Sequence, residues 1–289
     1  MSERSQRSQR SQRTQWCAPD PDATFVSVDG LRVHYRRTGQ GRPVLLLHGS
    51  GSSLHGMEQV AELLAATGEF EVVRPDLPGF GFTGPRADRD YRVRTYASTL
   101  ARFMAALGLS AYAVMGNSLG GNIAWNLALD HPERVTDLVL VNATGYPEKS
   151  LPQGLRLARN PLLGPLLRRW LPRAATARNL RALVGPGSTL VDDDLVDRVH
   201  TLMSRPGNRS AFVDLANTQQ ADRSAEIARI SVPTLVLRGP GIDGQHFARD
   251  IPGSVELVHR DGGHLLPEED PQWVAGAAAH FLGVPGEAR

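Results

Sequence analysis

Residues 112–121 read Tyr-Ala-Val-Met-Gly-Asn-Ser-Leu-Gly-Gly. A short apolar run passes straight into Gly116-Asn117-Ser118-Leu119-Gly120, a G-x-S-x-G pattern. Downstream, Asn122–Leu129 is helical in composition and stops at Asp130-His131-Pro132. Strand, sharp turn and helix in that order form the context in which this pattern puts a serine on a strained elbow. Small residues two before and two after the serine are a steric need, because the tight turn presses them against the neighbouring strand and helix. The hydroxyl then stands at the end of a parallel sheet, beside a helix N-terminus whose N–H groups favour negative charge.

Outward from that turn, apolar runs alternate with helical stretches. Thr24–Val28 and Leu31–Arg36 read as strands joined at Asp29-Gly30, a hairpin signal. Val44–Leu47, Glu71–Arg74, Tyr112–Met115, Leu138–Val141, Thr234–Arg238 and Val255–His259 read as further strands. Glu58–Ala66, Tyr96–Leu107 and Trp273–Leu282 read as helices. This alternation predicts an α/β fold: a doubly wound, mostly parallel sheet with helices on both faces. Residues 145–230 break the rhythm, being rich in Arg, Leu and Pro without buried-strand runs. Short helices are expected there over Leu155–Leu163, Leu166–Leu171, Ala174–Leu183 and Asp193–Met203. The expected organisation is a basic disordered tail over 1–20, a core from 21–144 and 231–289, and an inserted helical cap over 145–230.

Composition excludes several classes. At 289 residues and 41% hydrophobic content the chain is an ordinary globular sequence, with no run of the roughly 20 apolar residues a membrane span needs. The net charge of +2 comes from the low-complexity stretch Arg4–Gln15; residues 16–289 hold 28 basic and 29 acidic groups. The folded part is therefore no basic nucleic-acid binder, despite a sequence pI near 9.0. The tail has no apolar run of the kind a signal peptide needs, and Cys17 is the single cysteine, so a cytoplasmic location is expected. The expected partner is a small-molecule substrate, with no nucleic acid and no membrane; the oligomeric state is left open.

Serine is a weak nucleophile and needs a base. Among nine histidines, His264 stands out in Asp261-Gly262-Gly263-His264-Leu265-Leu266-Pro267. It follows the last strand, and loops after parallel strands share one sheet edge with Ser118. An acid that orients the imidazole should lie between serine and histidine in chain order. Asp243, in Gly239-Pro240-Gly241-Ile242-Asp243-Gly244, is the best placed; Asp250 comes later, on an expected helix. Two N–H donors must meet the oxyanion of an acyl-transfer intermediate. Leu119 supplies one; the loop His48-Gly49-Ser50-Gly51-Ser52-Ser53 supplies the other, from Ser50 or else Gly51. His48 reads as a structural hydrogen-bonding residue. Gly79-Phe80-Gly81-Phe82-Thr83-Gly84 matches G-x-G-x-x-G, but Pro85 and a charged run follow where a dinucleotide site would open a helix, so it reads as a turn. No metal-binding or nucleotide motif is present, and no cofactor is implied.

Taken together, His48-Gly49, Asp76-Leu77-Pro78-Gly79-Phe80-Gly81, Gly116-Asn117-Ser118-Leu119-Gly120-Gly121 and Gly263-His264 resemble the α/β-hydrolase superfamily over about residues 24–284. Gly-Asn-Ser with His-Gly-Ser-Gly looks most like its carbon–carbon-bond hydrolases and generic esterases. The resemblance implies a triad of Ser118, an acid and His264, a helical cap after the sixth strand, and no cofactor. One departure is visible: the stretch from Gly239 to Ile251-Pro252-Gly253 is shorter than is common in the family. Two functions are open at this point. One is a serine hydrolase cleaving an ester, thioester or activated carbon–carbon bond of a mainly apolar small molecule. The other is a non-hydrolytic relative, a cyclase or binding module acting on a natural-product intermediate. The cap arginines Arg156, Arg159, Arg168, Arg169 and Arg173 read as a solvated helix face or as partners for a substrate carboxylate.

Overall fold

The computed structural model describes residues 16–19, 24–148, 152–242 and 244–283. Among them, eight strands form one sheet in the order β1-β2-β4-β3-β5-β6-β7-β8. β1 (Thr24–Val28) and β2 (Leu31–Gly39) make the expected hairpin, with Asp29 and Gly30 at φ 51° and 79° as a tight turn requires. β2 pairs antiparallel with β4 (Phe70–Pro75). From there β3 (Arg42–Leu47), β5 (Tyr112–Asn117), β6 (Val135–Val141), β7 (Thr234–Arg238) and β8 (Val255–Val258) all run parallel.

The central strands carry unbroken apolar runs, Val44–Leu47, Leu138–Val141 and Leu235–Leu237, because both faces are covered. Alternation sorts them. Val44 and Leu46 join Val72, Met115, Val139 and Leu237 under α1 (Glu58–Ala66) and the closing helix. Leu45 and Leu47 join Val73, Val114 and Leu140 under α2 (Val93–Ala106) and α3 (Leu119–Asp130). Each such leucine contributes roughly 1.5–3 kcal/mol by leaving water. α3 begins directly after Ser118, earlier than its sequence suggests: Gly120 and Gly121 are poor helix formers, and packing against β3 and β6 overrides that propensity.

Between β6 and β7 lies a helical insertion: α4 (Gln153–Arg159), α5 (Leu163–Arg169), α6 (Arg173–Arg181), α7 (Asp193–Met203) and α8 (Asn208–Asn217). The Asp192 carboxylate accepts from Leu195 N–H at 2.8 Å, and Asp193 and Asp194 favour the positive end of α7. α8 starts at Gly207, whose φ of 85° turns the chain after Pro206, and packs on α4 and α5. The sequence reading missed α8. After β7 come α9 (Phe247–Asp250), then α10 (Leu266–Glu269) and α11 (Pro271–Gly283) beyond β8.

β8 ends at Val258, so His259 stands just outside the strand, bonded to Asp270 and edge-on to Trp273. Most of the expected tail lies outside the described residues; Trp16 sets its ring 4.9 Å from that of His55. The division at 145–230 has Lys149, Ser150 and Leu151 outside them too. Among the described residues no helix is long and apolar enough to cross a membrane.

Candidate active site

Ser118 sits between β5 and α3 at φ 54° and ψ −112°, a conformation L-residues avoid unless neighbours hold it. Those neighbours are close. A Cβ on Gly116 would stand 2.3 Å from the Gly120 carbonyl, and one on Gly120 would stand 2.4 Å from Leu47 O. The elbow therefore accepts no side chain on either flank. Ser118 is nearly buried, and its Oγ stands 2.8 Å from Nε2 of His264. The hydroxyl can donate to an unprotonated Nε2, the arrangement that activates a serine.

His264 lies on the loop between β8 and α10, and four outside groups hold that loop. Asn117 Nδ2 donates to His264 O at 3.2 Å. Asn142 Nδ2 donates to Gly263 O at 2.9 Å, while its Oδ1 accepts from Gly239 N–H at 3.0 Å. His264 N–H donates to Leu183 O at 2.6 Å, from the insertion. Glu269 accepts from Gly263 N–H and from Gly185 N–H, at 2.9 and 2.6 Å. Asn142 and Glu269 escaped the sequence reading. Neither belongs to a motif; their roles arise from the meeting of β6, β7 and β8 at one sheet edge.

Asp243 lies outside the described residues. Its loop does reach the histidine loop: a Cβ on Gly239 would stand 2.0 Å from Gly262 O. Asp250 is on the expected helix, where it accepts from the Tyr146 hydroxyl at 2.9 Å and pairs with Arg249 at 2.7 Å.

The loop after β3 also comes to the serine, since a Cβ on Gly49 would stand 3.3 Å from Ser118 Cβ. His48 shapes it, as expected for a structural residue. Leu77 N–H donates to His48 Nε2 at 3.0 Å, so Nδ1 carries the proton and donates to Gly49 O at 2.8 Å. Burial lowers the pKa of this ring and keeps it neutral. Asp76 supports the same loop, accepting from Leu54 N–H at 2.7 Å and Phe82 N–H at 2.8 Å, and lying 2.7 Å from His34 Nδ1. Burial pushes its carboxyl up, but the His34 bond and charge, His48 and Phe82 N–H outweigh this and hold it down to about 2. Gly79 to Gly84 form a turn closed by Gly79 N–H on Gly84 O, so the glycine pattern is a bend and no helix opens there.

Two hollows meet at Ser118. One, of about 180 Å³, is roofed by insertion residues including Leu155, Leu167, Leu171, Leu180 and Phe212, with His264 and Ser50 at its base. The other, of about 740 Å³, is more polar and has Leu119, Trp125, Tyr146 and Arg159 in its walls. Among the described residues no group of three or more His, Cys, Asp or Glu stands together as a metal site.

A family model described as the alpha/beta hydrolase fold matches residues 42–271. The chain belongs to this family. This hydrolase is 33% identical over 227 residues to a 2-hydroxy-6-oxononadienedioate/2-hydroxy-6-oxononatrienedioate hydrolase of Burkholderia vietnamiensis, covering 72% of this chain and 74% of that one. It is 26% identical over 261 residues to a 2-hydroxymuconate semialdehyde hydrolase of Pseudomonas putida, covering 89% and 84%. Its structure is similar to that of a thermophilic esterase from Thermogutta terrifontis, with a TM-score of 0.76, 27% identity and coverage of 90% and 98%. The α/β-hydrolase resemblance and the doubly wound sheet read from the sequence both hold.

Proposed function

We propose that this hydrolase cleaves an ester, thioester or activated carbon–carbon bond of a mainly apolar small molecule through an acyl-enzyme on Ser118. The 2.8 Å contact between Ser118 Oγ and His264 Nε2, at the base of an apolar hollow, carries the reading. His264 takes the hydroxyl proton as Oγ attacks the substrate carbonyl, then gives it to the leaving group. The N–H groups of Ser50 and Leu119 hold the oxyanion. Asp243 orients the imidazole and stabilises its protonated form. His264 then activates water, which releases the acyl group.

The helices of 145–230 act as a cap on a core from 21–144 and 231–289. The acyl part enters the leucine-lined hollow, and the rest of the substrate lies in the more polar cleft. The relatives named for semialdehyde and dioate hydrolysis support the carbon–carbon option, and the esterase supports the ester option. The single cysteine supports a cytoplasmic setting.

A fluorophosphonate probe should label Ser118 stoichiometrically, and short p-nitrophenyl esters should give a burst of p-nitrophenol. Ser118→Ala should remove both. Asp243→Asn should lower kcat by about 10⁴-fold, whereas Asp250→Asn should change it little. An unlabelled Ser118 in the folded protein points instead to the non-hydrolytic reading.

A further inference from the structure

Nine large hydrophobic side chains are exposed among the described residues, and five of them lie between 157 and 170: Leu157, Leu162, Leu163, Leu166 and Trp170. α5 explains why. Gly164 and Leu167 recur at helical spacing and face inward, Gly164 against α4 and α8 and Leu167 over the hollow at Ser118, where Leu171, just beyond the helix, joins it. Leu163, Leu166 and Trp170 recur at the same spacing on the outside. Leu162 just ahead is 83% exposed, Leu166 50% and Trp170 60%. A cluster of exposed large apolar side chains on one face normally marks a binding surface. Here the outer side has no cover among the described residues.

Charge says what fits. Residues 153–183 hold seven arginines and no acidic residue. Arg168 pairs with Asp214, and Arg173 with Asp193 and Asp197. Arg156 and Arg169 are exposed beside the apolar stripe and make no ion pair among the described residues. A second copy docked face to face by this stripe would set two arginine-rich surfaces against each other. An anionic lipid surface offers what both groups need: headgroup charge for the guanidinium groups and an acyl boundary for leucine and tryptophan.

We propose that the outer face of α4 and α5 docks on anionic lipid surfaces and that the substrate is an acyl ester of an anionic amphiphile drawn from them. The substrate half of this proposal rests on the hydrolase reading above. Leu157 and Leu167 line the hollow from the same two helices, so docking puts its roof against the acyl layer. The expectation of no membrane partner rested on the lack of a spanning segment, and docking needs none.

Flotation with full-length Ser118→Ala protein measures docking without any acyl chemistry, so it succeeds or fails independently of the hydrolase reading. The protein should float with vesicles of phosphatidylcholine and phosphatidylglycerol in equal parts, and not with phosphatidylcholine alone. Leu162→Ser/Trp170→Ser and, separately, Arg156→Glu/Arg169→Glu should each cut the bound fraction about tenfold. In the active protein both pairs should leave melting temperature and turnover of p-nitrophenyl acetate unchanged. Three results overturn the proposal. The first is absence of flotation at low salt. The second is binding that survives both double variants, which assigns it to the basic N-terminus. The third is a dimer that Leu162→Ser/Trp170→Ser dissolves, which assigns the face to a second copy.

Discussion

Asn142 is the residue whose importance the sequence conceals best. It is fully buried at the end of β6 with φ 44°, and its main chain still donates to Leu237 O at 2.9 Å. Its single carboxamide donates toward the histidine loop and accepts from the loop after β7. An amide does both at once, its NH2 donating while its carbonyl oxygen accepts. It is a positioning residue: Asn142→Ala should lower kcat by about 10²-fold with little change in KM, because a small shift of His264 spoils its alignment with Ser118. Asn142→Asp sets a carboxylate against two carbonyls and adds negative charge near the imidazole. The acid limb of its pH–rate profile should move to higher pH, since that charge favours imidazolium; a residue with only a packing role would leave the limb in place. Ser118 and His264 were legible because glycine must surround them. Gly116, Gly120 and Gly263 are forced by backbone contacts under 2.5 Å for an added Cβ, and such forced glycines show in a sequence. Asn142 is an ordinary strand-end asparagine until β6, β7 and β8 stand side by side.

Among the elements, the turn at 76–84 braces the loop after β3. Asp76 is acceptor to Leu54 N–H and Phe82 N–H, and a Cβ on Gly81 would stand 2.0 Å from its carboxyl. Its carboxyl is held at about 2, below the ordinary 3.8, so its contribution to stability is fully present above about pH 4 and is lost as pH falls through about 2. Asp76→Asn should cost about 3 kcal/mol at neutral pH, since it breaks a buried pair. The gap in melting temperature between the two proteins should close as pH drops from 4 toward 2. A gap that stays constant over that range would show the charge to be irrelevant. Elements with strong periodicity, such as α7, were read to the residue. α8 was not: Pro206-Gly207 reads as a loop, and Asn208, Asp214 and Asn217 dilute its apolar residues. Packing against α4 and α5 and the Asn208 bond to Gly81 O secure it.

For the whole molecule, the parallel sheet delivers three loops to one edge, and the insertion is fastened there unevenly. Residues 183–185 are bonded to the histidine loop through Leu183 O and Gly185 N–H, with Glu269 as the shared acceptor. A Cβ on Gly263 would stand 2.3 Å from Gly185 N, so these two backbones touch. Glu269→Ala should speed hydrogen exchange at Gly185, Gly263 and His264 together, and should lower kcat; exchange confined to α10 would show that the tie is absent. The roof over the hollow, α4 and α5, is instead held by α8. The two ends of the insertion are therefore held by separate contacts. A change that weakens the α8 packing should loosen the roof and leave the loop that carries His264 tied through Leu183 O, Gly185 N–H and Glu269.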